Sequence, residues 1–287
     1  MSESIAFIGA GNMGGALVEA ICAGTHPSQV TIYDPSAEKV AALAKKTGCR
    51  TAPDGISAVR DAHYVVMAVK PQIFPSVLQE LLPALQQNAA AGRPNVLVSI
   101  AAGIEISTIE QQLGAADLTL PVIRIIPNTP VAVGEGLLLL SPSALVTDAQ
   151  YDALCDLLQP AGRLEGVSEA ILTKAMSVFS CSPAFAYLFI EAMADGAVQL
   201  GLPRDMAQRY ASQAVRGAAT MVLETGMHPG ALKDAVCSPG GYTIQGVNEL
   251  EKRGFRAAAA QAVLVAGGAK PNYTVSVAVA VEEALKK

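Results

Sequence analysis

Two glycine-bearing stretches have the residue types and spacing to trap anions. The first is "IAFIGAGNMGGALVEAI", where Gly9, Gly11 and Gly14 form a GxGxxG pattern between a predicted strand and a predicted helix. Asp34 ends the next predicted strand, 20 residues after Gly14. Glycines at this spacing allow a tight turn and close approach of backbone to a pyrophosphate, which the helix N-terminus stabilises. With strand, helix and acidic residue all in place, the pattern predicts a dinucleotide site formed by Gly9, Ala10, Gly11, Asn12, Met13, Gly14 and Asp34. The second stretch is "VCSPGGYTIQG", residues 236–246, where two glycines follow a proline and a helix begins. Successive free N–H groups at such a turn also hold a negative group. It lies more than two hundred residues after the first.

Asp34 would accept hydrogen bonds from an adenosine 2′-hydroxyl, which favours NAD, and would repel a 2′-phosphate. Ser36 and Lys39 stand close enough in sequence to counter that repulsion. The residues by themselves leave the phosphate status open.

Alternating elements must carry these turns. Up to about residue 165, short apolar runs alternate with helical patterns: "IAFIG", "VTIYD", "YVVMAV", "VLVSI", "VIRII" and "GLLLL". Near-continuous apolar strands separated by helices predict a parallel sheet covered on both faces, with right-handed crossovers. Ligands gather at the carboxyl ends of such strands. The loops there read "AVKPQ" (68–72), "SIAAGI" (99–104) and "RIIPNTPVAVGEG" (124–136). They offer Ala68, Val69, Lys70, Pro71, Ala101, Ala102, Gly103 and Asn128 as further cofactor contacts. Each residue also has a plainer role, since Pro, Asn and Thr are common turn formers and a lysine is commonly just solvated.

Beyond residue 165 the patterns are helical. In "PAFAYLFIEAMADGAVQLG" (183–201), Phe185, Leu188, Phe189, Ala192, Met193, Gly196, Ala197 and Leu200 share one face. Glu191, Asp195 and Gln199 form one polar row. So apolar a helix is buried on most sides, which predicts that a second subunit covers it. Gly201 reads as its stop, and a second helix runs to Gly226. A short helix starts near Pro229 and another continues to about Arg253. The last twenty residues fit strand or helix.

Bulk composition removes several classes. Hydrophobic residues are 51% and charged residues 16% of 287, with a net charge of −5 and no basic run. A nucleic-acid partner is therefore not expected. The five cysteines are scattered without a CxxC pair, so no metal site is expected and the thiols read as reduced, in a cytoplasmic protein. No uninterrupted run of 18 apolar residues predicts a membrane span. The apolar N-terminus has no basic n-region and belongs to the first strand rather than to a signal peptide.

The motifs "GAGNMG", "AVKPQ", "SIAAGI", "RIIPNTP", "SPAFAYLFIEAMADGA" and "HPGALKDAVCSPGGYTIQGVNELEKRGFR" resemble, in order and spacing, pyrroline-5-carboxylate reductase over about residues 3–262. The final motif is the most specific, because many dehydrogenases share the first. The resemblance implies an α/β fold: a Rossmann-type doubly wound sheet (1–165), then an all-helical dimerisation and substrate-binding domain (166–287). It implies reduction of 1-pyrroline-5-carboxylate to L-proline with NADPH, or NADH, in homodimers that often assemble into decamers. It places the Thr243 hydroxyl near the ring nitrogen as the catalytic residue, where capping of its helix is the plainer role. The substrate's carboxylate would then sit on the 240–243 backbone, with Ser238, Gly240, Gly241, Tyr242 and Thr243 as its surroundings. A protonated imine accepts hydride readily, so no strong protein acid is required, and orientation is the protein's main task.

Two features depart from the family pattern: Tyr242 stands where a small residue is usual, and the tail after about residue 266 does not match. A β-hydroxyacid dehydrogenase reading would make Lys174 catalytic, and a non-catalytic nucleotide sensor would need only the first turn. Neither gives the 236–246 loop a task.

Overall fold

The computed structural model describes residues 3–24 and 27–268. The ambiguous tail from residue 269 onward lies outside the described residues. The chain divides into two compact units, Met1–Ser180 and Cys181–Lys287.

The first unit is a sheet with helices. Its strands are β1 (Ile5–Ile8), β2 (Val30–Tyr33), β3 (Arg50–Thr51), β4 (Tyr64–Met67), β5 (Val96–Ser99), β6 (Val122–Ile126), β7 (Gly136–Pro142) and β8 (Gly162–Gly166). Its helices are α1 (Asn12–Gly24), α2 (Ala37–Thr47), α3 (Gly55–Arg60), α4 (Phe74–Ala90), α5 (Ile106–Gly114), α6 (Asp148–Leu158) and α7 (Glu169–Phe179). Strand order is β3-β2-β1-β4-β5-β6-β7-β8. β1, β4, β5 and β6 are buried at every position, as expected when helices cover both faces. One core forms on each face. Phe7 and Ile32 meet Leu17 and Ile21 of α1 on one side. Ile8 and Met67 meet Leu78 and Leu82 of α4 on the other.

The expectation of a wholly parallel sheet needs correction. β7 runs antiparallel to β6, and β8 lies parallel to β7. The residues between Ile126 and Gly136 are too few for the dozen or more that a parallel crossover requires. Two strands escaped the sequence reading. β3 has only two residues, and β8, "GRLEG", is a polar strand at the sheet edge. Gly136 and Gly162 face each other where these last strands begin. A Cβ on Gly162, whose φ is +137°, would fall 2.1 Å from the Gly136 carbonyl oxygen. The unit also runs past residue 165, because Leu172 of α7 packs against Ile126 and Leu139.

The second unit is helical: α8 (Ser182–Gln199), α9 (Arg204–Thr225), α10 (Pro229–Ala235), α11 (Tyr242–Lys252) and α12 (Phe255–Ala266). α12 was not read from the sequence. Gly201 (φ +95°) follows α8 and Gly226 (φ +63°) caps α9, both in conformations that glycine adopts freely. The α8–α9 pair closes on small side chains, with Ala194, Ala207 and Ala211 buried and Ile190, Val198 and Leu202 packed around them. Arg204 donates to the Asp195 carboxylate across the turn.

Within the chain, then, α8 packs through its alanine side. Among the described residues, most of the face expected to be buried is left uncovered. Phe185, Leu188, Phe189 and Met193 line an apolar groove of about 730 Å³ with Phe255 and Val263 of α12. The Phe189 and Phe255 rings meet at 5.5 Å between centroids. The nearly continuous helical segment Glu169–Gln199 is also long and apolar enough to cross a membrane, with a mean hydropathy of 1.3 in its most apolar window.

Candidate active site

The order of the sheet reverses between β1 and β4, with β2 on one side of β1 and β4 on the other. In open sheets that reversal opens a crevice beyond the strands' carboxyl ends. Gly9–Gly14 occupies it. Gly9 has φ +111°, and a Cβ there would come within 2.6 Å of the Ala68 carbonyl oxygen. A Cβ on Gly14 would press on the Gly9 oxygen at 2.7 Å. These two glycines therefore hold α1 close to β1 and β4. Gly11 differs: a Cβ there would meet nothing within 4 Å. Its side is open to a ligand, at the N-terminus of α1 where backbone N–H groups point outward.

Asp34 follows β2 and braces this turn. Its Oδ2 accepts from Ala10 N–H at 2.8 Å and its Oδ1 from Ser36 N–H at 2.9 Å. Ser36 then caps α2 by accepting from Lys39 N–H. Lys39 lines the groove between α1 and α2 beside Gly11 and Asn12, with Lys46 at the same groove. Lys46 is bound to Glu19 at 2.8 Å. The groove thus places an ammonium group beside the glycine turn, and the Asp34 carboxylate braces that turn from the end of β2. These residues fit a dinucleotide.

The other predicted contacts fall on the same sheet edge. Ala68–Pro71 follows β4, Ala101–Gly103 follows β5 and Asn128 follows β6. Gly103 turns with φ +77°. Asn128 is a special case, because its side chain is buried and engaged. Its Nδ2 donates to the Phe179 carbonyl at 2.9 Å, and its Oδ1 accepts from Leu137 N–H at 3.0 Å. That amide ties the β6–β7 connection to the end of α7.

One group at this edge was missed. Arg124 of β6 is only 2% exposed and donates through Nη1 to Glu169 Oε1 at 2.7 Å. The same oxygen accepts from Ile106 N–H, at the start of α5. The pair joins β6, α5 and α7 directly behind the "SIAAGI" loop. The signal was present in the sequence: an arginine in the middle of "VIRII".

The second loop belongs to the other unit. Gly240 has φ +69°, and Gly241 donates to the Ser238 carbonyl at 3.0 Å, which folds the chain into the start of α11. A Cβ on Gly241 would fall 2.5 Å from Ser238 Oγ. Gly241 is the N-cap and makes no side-chain capping bond. The first N–H groups of α11 are thus left without an intrahelical acceptor, and Thr243, second in the helix, is exposed. Tyr242 beside it is 93% exposed, the most open of the large hydrophobic side chains among the described residues. Lys174 lies exposed on α7.

A family model described as pyrroline-5-carboxylate reductase dimerisation matches residues 169–270. One described as NADP oxidoreductase, coenzyme F420-dependent, matches residues 4–103. Pyrroline-5-carboxylate reductase of Escherichia coli K12 is 42% identical over 265 residues, covering 92% of this chain and 95% of the relative. The chain belongs to the pyrroline-5-carboxylate reductase family. Solved structures of the family agree in fold. The Coxiella burnetii enzyme superposes with a TM-score of 0.82 at 31% identity, covering 93% of this chain and 97% of that one. The Plasmodium falciparum pyrroline carboxylate reductase, solved with NADP bound, gives 0.80 at 29% identity, covering 93% and 96%.

Proposed function

We infer that this chain reduces the C=N bond of 1-pyrroline-5-carboxylate to give L-proline, the last step of proline biosynthesis, using NADPH with NADH as the alternative donor. The observation that carries this is the 42% identity to the E. coli reductase across 92% of the chain, with the 236–246 loop intact.

In this reading the residues divide the work. The Gly9–Gly14 turn binds pyrophosphate through the N-terminus of α1. Asp34, Ser36 and Lys39 take the adenosine ribose and its 2′ substituent. Residues 68–71, 101–103 and the backbone at Asn128 border the cofactor's remaining length. When bound, the reduced nicotinamide supplies the hydride. The 240–243 backbone, where the N–H groups of Tyr242 and Thr243 open α11, holds the substrate carboxylate, and the Thr243 hydroxyl orients the ring nitrogen. Ser238 shapes the loop, and Tyr242 borders the same pocket. The protein's contribution is proximity and orientation.

The working unit is a homodimer, since the open α8–α12 groove lies in the segment matched by the dimerisation model. Further assembly into a decamer, a cytoplasmic location and the absence of membrane attachment complete the proposal. In this reading the apolar side chains of α8 serve the subunit contact rather than a bilayer.

The deciding experiment follows nucleotide oxidation with 1-pyrroline-5-carboxylate, using NADPH and NADH in parallel. Thr243→Ala should lower kcat/KM by on the order of 100-fold while nucleotide affinity is kept. Unchanged turnover in that variant removes Thr243 from the reaction. No substrate-dependent oxidation by the parent protein removes the activity itself.

A further inference from the structure

β6 holds α7 at both ends. Within the strand, Arg124 reaches Glu169, the first residue of α7, at 2.7 Å. Just past the strand, the Asn128 side chain donates to the carbonyl of Phe179, the last residue of α7. The two spans match: Arg124 to Asn128 covers about 13 Å of extended chain, and Glu169 to Phe179 about 15 Å of helix. α7 therefore runs alongside β6 in the same direction, with Leu172 packed against Ile126 and Leu139. A helix fastened in this way fixes Glu169 to the sheet.

From that position Glu169 ties down a loop. Residues 100–105 connect β5 to α5. At the loop's start, Ala101 N–H donates to Ser99 Oγ at 3.4 Å, and Ser99 is paired in register with Arg124. At its exit, Glu169 Oε1 accepts from Ile106 N–H at 2.9 Å. Glu105, the residue before α5, makes no side-chain capping bond, so the cap comes from a carboxylate 63 residues away. Between these ties Ala102 and Gly103 are exposed, and a Cβ on Gly103 would meet nothing within 4 Å. One oxygen accepts from both Arg124 Nη1 and Ile106 N–H, so the carboxylate cannot shift without losing one of them. Arg124 Nε has no hydrogen-bond partner among the described residues, which leaves this carboxylate as the anchor of the buried guanidinium.

We propose that Glu169, held by Arg124, is a positioning residue for the nucleotide: it caps α5 and so sets where Ala101–Gly103 lie, which rests on the reading above in which those residues border the cofactor. Stability alone does not account for the pair. Two apolar side chains of similar volume in place of a buried ion pair often cost nothing and can stabilise, whereas no apolar side chain accepts from Ile106 N–H. A loop with an untied exit samples positions that meet the nucleotide poorly, and affinity falls with the fraction of molecules in the competent form. Because Glu169 acts through α5, its loss falls on nucleotide affinity and the nucleotide KM rather than on kcat at saturation.

The test compares the full chain with its variants by fluorescence titration with NADPH, steady-state kinetics and thermal unfolding, with binding measured well below each midpoint. Glu169→Ala should weaken NADPH binding on the order of 10-fold and raise the nucleotide KM to match. Its kcat and its KM for 1-pyrroline-5-carboxylate should stay within about twofold of the parent. Glu169→Gln, which keeps an oxygen for Ile106 N–H, should recover affinity to within about threefold. Arg124→Met combined with Glu169→Met should melt no lower than the parent, yet bind NADPH as weakly as Glu169→Ala. Parent affinity in Glu169→Ala or in the double variant overturns the proposal, whatever happens to the midpoint. Should the double variant not fold, the Ala and Gln variants still decide. Direct titration needs no turnover, so a parent that binds NADPH without reducing 1-pyrroline-5-carboxylate refutes the reaction, while the affinity series still decides the role of Glu169.

Discussion

The two units close their interiors in opposite ways. In the first, the central strands β1, β4, β5 and β6 are buried throughout and packed from both faces by large aliphatic and aromatic side chains. In the second, the buried core is Ala194, Ala207 and Ala211, while Leu188 is 68% and Leu200 85% exposed. Burying an aliphatic side chain contributes about 1.5–3 kcal/mol, so three alanines stabilise little. The first unit closes large apolar cores on itself, and the second leaves large apolar side chains open among the described residues.

The largest expected effect breaks that arrangement. Phe189→Asp puts a charge into the α8–α12 groove and should weaken self-association on the order of 100-fold or more. The second unit should melt early while the first still binds nucleotide. Light scattering and nucleotide titration measure the two halves separately, and a dimer of unchanged strength would show that the groove is not the contact. Next comes Gly9→Ala in the crowded unit. A Cβ 2.6 Å from a backbone carbonyl, at positive φ, should destabilise by about 3 kcal/mol and abolish nucleotide binding. Retained binding would mean that the turn yields more easily than its contacts imply.

Glu169→Ala leaves Arg124 buried without its carboxylate. Such a loss costs about 2 kcal/mol here, because Glu169 is itself partly solvated, and denaturant unfolding reads it. The smallest effect belongs to the open unit. A Cβ on Gly217 in α9 would meet nothing within 4 Å, so Gly217→Ala should stabilise by up to ~0.8 kcal/mol. A destabilisation instead would place a subunit contact on that face of α9.

These differences also explain what the sequence made readable. The GxGxxG turn was legible because its constraints are local: a turn, a strand before it and a helix after it. The sheet's core strands were legible for the same reason, as unbroken apolar runs. β8 was not, because an exposed edge strand such as "GRLEG" need not be apolar. The reversal at β7 was recoverable from connection length alone. The burial of α8 was half legible. Periodicity identified the apolar face but not that the chain would pack α8 through its alanines and leave the larger side chains open. Arg124 could be picked out as an arginine inside an apolar strand, but its partner Glu169 is distant in sequence and no local pattern announces it. The Thr243 loop was legible only as a whole motif, since no single residue in it is unusual except Tyr242.

The Asp34 brace has a consequence for the speed of encounter. Ala10 N–H and Ser36 N–H are both held by one carboxylate, so a nucleotide that binds this form of the turn needs no rearrangement of it. Association should then follow a single exponential whose rate rises linearly with nucleotide concentration, without the plateau that a slow rearrangement imposes.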